Sequence, residues 1–165
     1  MVLEQVDSLY CFALRLTGKV DEAEELVQET FVRAIAAEKQ FTQGSNLRAW
    51  LFRILRNRHI DDRRRERRMA ESELDEELFA VSNLEPTEQL RGDLETSYLR
   101  RVVIADIEAA LLRLNEDART VVLLELEGFQ EAEIAQILEC ATGTVKSRLA
   151  RARANLRQLL SGYAK

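Results

Sequence analysis

The chain has 165 residues, of which 46% are hydrophobic and 32% charged, and a formal net charge of −5 at pH 7. That length holds one medium domain or two small helical ones, and the apolar fraction excludes wholesale disorder. One proline and six glycines leave little material for turns, so the expected class is all-α.

Apolar spacing predicts a first helix from about Leu3 to Thr17, stopped by Gly18. A second is expected to start at Asp21, whose spacing to Glu24 has the form of a capping box. Its apolar face would hold Ala23, Leu26, Val27, Thr30, Phe31, Ala34 and Ile35. The opposite face carries Asp21, Glu22, Glu25, Gln28, Glu29 and Arg33. Such an acidic, amide-rich face is either simply solvated or a docking surface for a basic protein partner.

FTQGS, from Phe41 to Ser45, reads as a loop, and Asn46 as the cap of a third helix running to about Arg68. Leu47, Trp50, Leu51, Ile54 and Leu55 are its expected buried positions. It then turns basic, with Arg56, Arg58, Arg63, Arg64 and Arg65. Trp50 and Asn57, seven apart, share one edge. An exposed aromatic beside amide and Arg side chains can stack on a base and hold it out of a duplex. A lone tryptophan is also a common core residue, and both readings stand. His59 has no Cys or His partner nearby in sequence and is expected on the helix surface.

The charges are sorted along the chain. Arg48 to Arg68 holds nine arginines against Asp61, Asp62 and Glu66, whereas Glu71 to Glu95 holds nine acids against Arg91. Blocks of this kind suggest basic DNA-facing surfaces joined by an acidic connector, and the boundary between two domains is expected there. Pro86 suits the first turn of the next helix. Leu90, Leu94, Val102, Val103, Ile107, Ala110, Leu111 and Leu114 continue a helical pattern that ends at Asn115. Asn115 caps a further helix, with Glu116 and Asp117 in its first turn before Val121, Val122, Leu124 and Leu126.

Two short helices then meet at a tight turn. The first begins near Glu131, with Gln130 a weak start signal, and buries Ile134, Ala135, Ile137 and Leu138. Glu139 stands where the chain commonly turns left-handed, Thr142 is the expected cap of the second helix, and Gly143 lets its backbone approach a partner closely. At 100° per residue, Val145, Leu149, Ala152, Leu156 and Leu159 fall within about 40° of one line. Ser147, Ala150, Arg151 and Ala154 point away from that stripe, while Lys146, Arg153 and Arg157 form a cationic ridge. From Lys146 to Arg157 there are five basic residues and no acid. This is the pattern of a helix-turn-helix aimed at the major groove, with Lys146, Ser147, Ala150 and Arg151 facing bases and Arg153 and Arg157 reaching phosphates. For Arg148, beside the apolar stripe, an internal salt bridge and a phosphate contact remain open.

Cys11 and Cys140 lie in opposite halves without metal-ligand spacing, as expected of a reduced cytoplasmic protein. No apolar run approaches the ~20 residues of a membrane span, and no secretory signal opens the chain. No nucleophile, acid pair, phosphate loop or metal cluster is apparent, so neither an enzyme nor a cofactor is expected.

These motifs together resemble the extracytoplasmic-function (ECF) sigma factors, promoter-recognition subunits of bacterial RNA polymerase. DEAEELVQETFVRA (Asp21 to Ala34) is similar to the sigma domain 2 helix that grips the clamp helices of the largest polymerase subunit. NLRAWLFRILRNRHIDDRRR (Asn46 to Arg65) is similar to the helix that melts and reads the −10 element. The segment from Leu114 to Arg157 resembles sigma domain 4, which reads the −35 element.

The resemblance implies two small helical domains with an acidic linker: domain 2 over 1–68, linker and connecting helix over 69–98, and domain 4 over 99–165. Asp21, Glu22, Glu25, Gln28 and Glu29 would bind core polymerase. Phe41, Thr42, Gln43, Gly44, Ser45, Trp50, Arg53 and Asn57 would capture and melt −10 DNA. Lys146, Ser147, Ala150, Arg151, Arg153 and Arg157 would serve the −35 element. The implied partners are core polymerase, through its clamp helices and flap, promoter DNA and an anti-sigma factor. Departures from the family pattern are Glu139 for a turn glycine, Gln130 for a Ser or Thr cap, Asn115 for a proline, and Arg58 where smaller residues are common. A stand-alone helix-turn-helix regulator and a sigma-like decoy for an anti-sigma protein are the alternatives. The first leaves the acidic Asp21 to Glu29 face without a role, and the second would need degenerate DNA residues.

Overall fold

The computed structural model describes residues 5–42, 44–70 and 94–163. Leu3, Gln43 and the acidic stretch 71–93, with Pro86 and Leu90, lie outside the described residues. The helices are α1 (Val6–Thr17), α2 (Val20–Ala36), α3 (Leu47–Ala70), α4 (Leu94–Leu112), α5 (Glu116–Leu126), α6 (Glu131–Leu138) and α7 (Thr142–Leu159). Short 3₁₀ turns cover Glu38–Gln40 and Ser161–Tyr163. α1, α2 and α3 belong to one compact unit, and α4, α5 and α7 to another.

In the first unit, Gly18 closes α1 in the left-handed conformation (φ 77) and donates its N–H to the Leu14 carbonyl at 2.8 Å. A side chain there would meet its own backbone, so glycine ends the helix at little cost. The expected start of α2 at Asp21 is corrected. Lys19 holds the N-cap position without a side-chain cap, and the Thr17 hydroxyl accepts its N–H at 3.3 Å. Asp21 therefore lies in the first turn, where its charge complements the helix dipole, rather than closing a capping box. Asn46 does cap α3 as expected, its Oδ1 accepting the Ala49 N–H at 3.1 Å.

Leu9, Phe12, Ala13 and Leu16 of α1, Ala23, Leu26, Val27 and Ala34 of α2, and Leu51, Phe52 and Leu55 of α3 form the core. The Phe12 and Phe52 rings meet edge-on at 5.0 Å, which adds about 0.5–1.5 kcal/mol beyond area burial. The buried stripe of α3 is thus rotated from the expected one. Leu47, Trp50 and Ile54 are only half-buried, while Phe52 is enclosed. His59, expected on the surface, is buried, because it follows Leu55 by one turn on this rotated stripe. Ile35, expected inside, is 74% exposed; Ala34 is the last core position of α2, and the next residue points about 100° away from it.

In the second unit, Asn115 caps α5 as expected, accepting the Ala118 N–H at 2.8 Å, a bond worth about 1 kcal/mol. Arg119 reaches back and donates to the carbonyls of Leu111 (3.0 Å), Leu112 and Leu114 (3.1 Å). It thereby satisfies acceptors left over where α4 stops. α5 ends in a Schellman motif: Gly128 (φ 86) donates to Glu125 at 2.9 Å and the buried Phe129 to Leu124 at 3.2 Å. Ala110, Leu111, Leu114, Val121, Val122, Leu123 and Leu124 are buried with Val145, Leu149 and Ala152 of α7. Leu126, the last residue of the apolar pattern read for this helix, is exposed past the last turn that α5 buries, whereas Leu123 is buried. Val102 and Ile107, from the same expected apolar pattern as Ala110 and Leu111, are exposed, and among the described side chains of α4 the buried ones are those two, at its end.

Candidate functional site

Local chemistry sets the entry and exit of α6. The Glu133 carboxylate accepts the Gln130 N–H at 2.8 Å, the reciprocal half of a capping box, so the weak start at Gln130 is reinforced three residues on. α6 leaves through Glu139, which is left-handed (φ 53) as its position suggested, and Cys140 donates to the Ala135 carbonyl at 3.0 Å. The expected cap at Thr142 is not formed. Ala141 takes the N-cap position with extended backbone and no side-chain bond, which makes Thr142 the first helical residue.

α7 presents the face that its spacing indicated. Val145, Leu149 and Ala152 are buried, Leu156 and Leu159 half-buried, and Lys146, Ser147, Ala150, Arg151, Arg153 and Arg157 exposed. Arg148 resolves to an internal pair, donating to Asp117 at 2.7 Å with only 24% of its side chain exposed. The Ser147 hydroxyl donates to the Thr144 carbonyl at 3.0 Å, and Arg151 Nε to the Ser147 carbonyl at 3.3 Å, both along their own helix. Arg153 pairs with Glu125 of α5, and Lys146 Nζ lies 3.6 Å from Glu131 of α6. Sequence reasoning missed these two acids, because they sit on other helices. A helix with small and cationic side chains exposed opposite a packed stripe fits the major groove, long cations reaching the backbone and short residues meeting base edges.

A second surface lies on α3 and the loop before it. The Phe41 ring packs against Trp50, with centroids 5.1 Å apart and planes tilted by 50°. Trp50, Arg53 and Asn57 share the face opposite Leu51, Leu55 and His59. Arg53 is exposed, Trp50 and Asn57 half-buried, and Asn57 Oδ1 accepts from Arg56 at 3.1 Å. The Ser45 N–H and hydroxyl both donate to the Thr42 carbonyl, at 3.0 and 2.7 Å, which closes the loop at exposed Gly44. Gln43, between them, is outside the described residues. A half-buried aromatic braced by a second ring and flanked by an amide and a guanidinium is suited to stacking on an unpaired base.

A third surface is the outer face of α2. Asp21, Glu25 and Gln28 are exposed, whereas Glu22 bonds Lys19 at 2.7 Å and Glu29 bonds Arg33 at 3.3 Å. The hydrogen bond from Lys19 to Glu22 pushes the lysine's pKa up. Val32 and Ile35, 60% and 74% exposed, add an apolar element that the sequence reading lacked. Val32 falls one turn after Gln28, which is the signal that would have found it.

Arg58, singled out as a departure, has its side chain largely covered. It pairs with Asp62 at 2.8 Å, their side chains 13% and 31% exposed. Burial raises the Asp62 pKa more than the Arg58 and Arg65 charges lower it.

Among the described residues no helix is long and apolar enough to cross a membrane. No group of three or more His, Cys, Asp or Glu there is placed to hold a metal ion, and both cysteines are free thiols.

Comparison with known proteins covers both units. The family described as Sigma-70 region 2 matches residues 1–69, and that described as Sigma-70, region 4 matches 104–156. The ECF RNA polymerase sigma factor EcfG of Rhodopseudomonas palustris is 39% identical over 160 residues, covering 96% of this chain and 82% of that protein. The ECF RNA polymerase sigma factor SigW of Bacillus subtilis is 32% identical, covering 93% of this chain and 83% of that one. Among solved structures, the sigma factor RpoE in complex with the anti-sigma factor NepR from Bartonella quintana matches with a TM-score of 0.81 and 36% identity, over 97% of this chain and 94% of that chain. CnrH in complex with the cytosolic domain of CnrY matches with a TM-score of 0.68 and 25% identity, over 98% of this chain and 85% of that one.

Proposed function

We propose, on the premise that the chain belongs to the ECF RNA polymerase sigma factors of the sigma-70 family, that its three surfaces divide the work of promoter recognition. It is a non-enzymatic initiation subunit that directs RNA polymerase to promoters, and bond-making belongs to the polymerase.

In this reading residues 1–68 form the domain that docks on polymerase and opens the −10 element, 69–98 the linker and connecting helix, and 99–165 the −35 domain. Lys146, Ser147, Ala150 and Arg151 face base edges of the −35 duplex, and Arg153 and Arg157 hold phosphates. The loop Phe41 to Ser45 with Trp50, Arg53 and Asn57 traps an unpaired −10 base. Asp21, Glu22, Glu25, Gln28 and Glu29 meet the basic clamp helices of the largest subunit, with Val32 and Ile35 adding apolar contact, and the C-terminal domain meets the flap. An anti-sigma factor, such as those held by the two similar structures, would cover these surfaces and keep the protein inactive in the cytoplasm.

The observation that carries this reading is the exposed, acid-free face of α7 opposite its buried stripe. Few base contacts suffice when two elements must be found at a set spacing, since each linked contact multiplies the selectivity of the other. The test is transcription in vitro with purified core polymerase on a library of genomic fragments. Discrete promoter-specific transcripts are expected only when the protein is added. Their absence, together with tight operator binding by the isolated chain, would instead mark a stand-alone regulator.

A further inference from the structure

The acid-free run of α7 is answered by acids from neighbouring helices. Arg153 Nη2 is hydrogen-bonded to Glu125 near the end of α5, and Lys146 Nζ lies 3.6 Å from Glu131 at the start of α6. Lys146 and Arg153 are two turns apart on one ridge, about 10 Å along the axis. Among the described residues, two of the three ridge cations therefore have a carboxylate within ion-pair distance before any DNA arrives. All four side chains are more than a third exposed, so the pairs contribute little to stability and exchange readily.

As a phosphate approaches, each carboxylate must be displaced from its cation or share it, and it then stands beside a polyanion. Both effects oppose binding whatever the base sequence. We infer that Glu125 and Glu131 set the affinity of α7 for DNA by holding Arg153 and Lys146 back from the backbone. With these restraints α7 grips a duplex too weakly to stay on it alone, and it engages stably only when the other surfaces are engaged as well. The inference rests on α7 being the DNA-reading helix.

The test uses the full-length chain and fluorescence anisotropy on a short mixed-sequence duplex at low salt. Glu125→Gln and Glu131→Gln each tighten binding by roughly three- to tenfold, and the double variant by more. Glu125→Asp, which keeps the charge, stays near wild type. Glu108→Gln removes the same charge from α4 and changes affinity less than either. Arg157→Ala controls for the underlying assignment and weakens binding. If Arg157→Ala weakens binding while both Gln variants leave it unchanged or weaken it, the acids position the cations rather than restrain them, and the inference fails with the assignment intact. If none of the three substitutions moves the affinity, α7 is not the reader and both fall.

Discussion

The Phe41 ring, in the loop before α3, braces Trp50 in the first turn of that helix at a centroid distance of 5.1 Å. Loop and helix are thus joined, and in the proposed reading a base stacked on Trp50 would gain from a ring already held by Phe41. Replacing Trp50 with Ala is expected to remove roughly 1 to 3 kcal/mol of open-complex stability, the usual worth of base stacking. Phe41→Ala should lose a smaller part of it by loosening the brace. Permanganate reactivity of unpaired −10 thymines in the holoenzyme complex measures both, and duplex binding through the −35 element should not change. Equal opening by wild type and Trp50→Ala would remove Trp50 from the melting step.

Arg151 is exposed, and among the described residues its bond is to its own helix, at 3.3 Å from the Ser147 carbonyl. If it reads a base, Arg151→Ala relaxes one position of the −35 element and costs about 1 to 3 kcal/mol there. Selection from randomised −35 duplexes by the holoenzyme reports this directly. A uniform loss over all sequences, with a shallower salt dependence, would make it a phosphate contact, the role proposed for Arg157.

Arg58 and Asp62 form a mostly buried pair, and Arg58 Nε is enclosed with no hydrogen-bond partner among the described residues. Asp62→Ala removes the acceptor of Arg58 Nη1, which the carboxyl supplies whether or not it is ionised. Asp62→Ala should therefore destabilise the first unit by about 2 kcal/mol in urea unfolding. Arg58→Met with Asp62→Leu should cost less than Asp62→Ala alone, because it removes both charges and keeps the packing.

The same carboxyl has a pH signature. Its pKa is raised by burial, so its favourable contribution is full below the ordinary value of 3.8 and is lost as pH rises through the higher folded value. Against the general run of carboxylates, this one makes the fold less stable on going from acid towards neutral pH. Asp62→Asn should remove that component from the stability profile just above pH 3.8.

Glu139 holds a left-handed backbone at φ 53. Glycine there avoids the steric cost, less its own entropy in the unfolded chain, so Glu139→Gly is expected to raise stability by up to about 1 kcal/mol. A rise in the urea midpoint without change in −35 selectivity bears this out. A fall would show that the glutamate side chain makes a contact worth more than the strain.

What could be read from the sequence was whatever depended on a single helix. The α7 stripe, the caps at Asn46 and Asn115 and the left-handed turn at Glu139 all follow from spacing within a single short stretch of chain. Two local expectations failed, the cap at Thr142 and the start at Asp21, and the other failures depended on a second helix. Phe52 displaced Trp50 from the core because Phe12 lies across from it, and His59 was carried inward on the same rotated stripe. Ile35 and Leu126 kept the period of a core but ran past the partners that would have covered them. The acids at Glu125 and Glu131 were invisible for the same reason, since an acid-free run says nothing about charges brought alongside it by folding.

Arg119 ties the end of α4 to α5 through the carbonyls of Leu111, Leu112 and Leu114. Releasing those acceptors to solvent also breaks the bonds that anchor Arg119, in the first turn of α5. Fraying, which usually starts at a helix end, is thereby coupled across the corner, and the two helices should open as one cooperative unit. In native-state hydrogen exchange, amides in the last turn of α4 and the first turns of α5 would then share a single opening free energy, and Arg119→Leu would separate them into two.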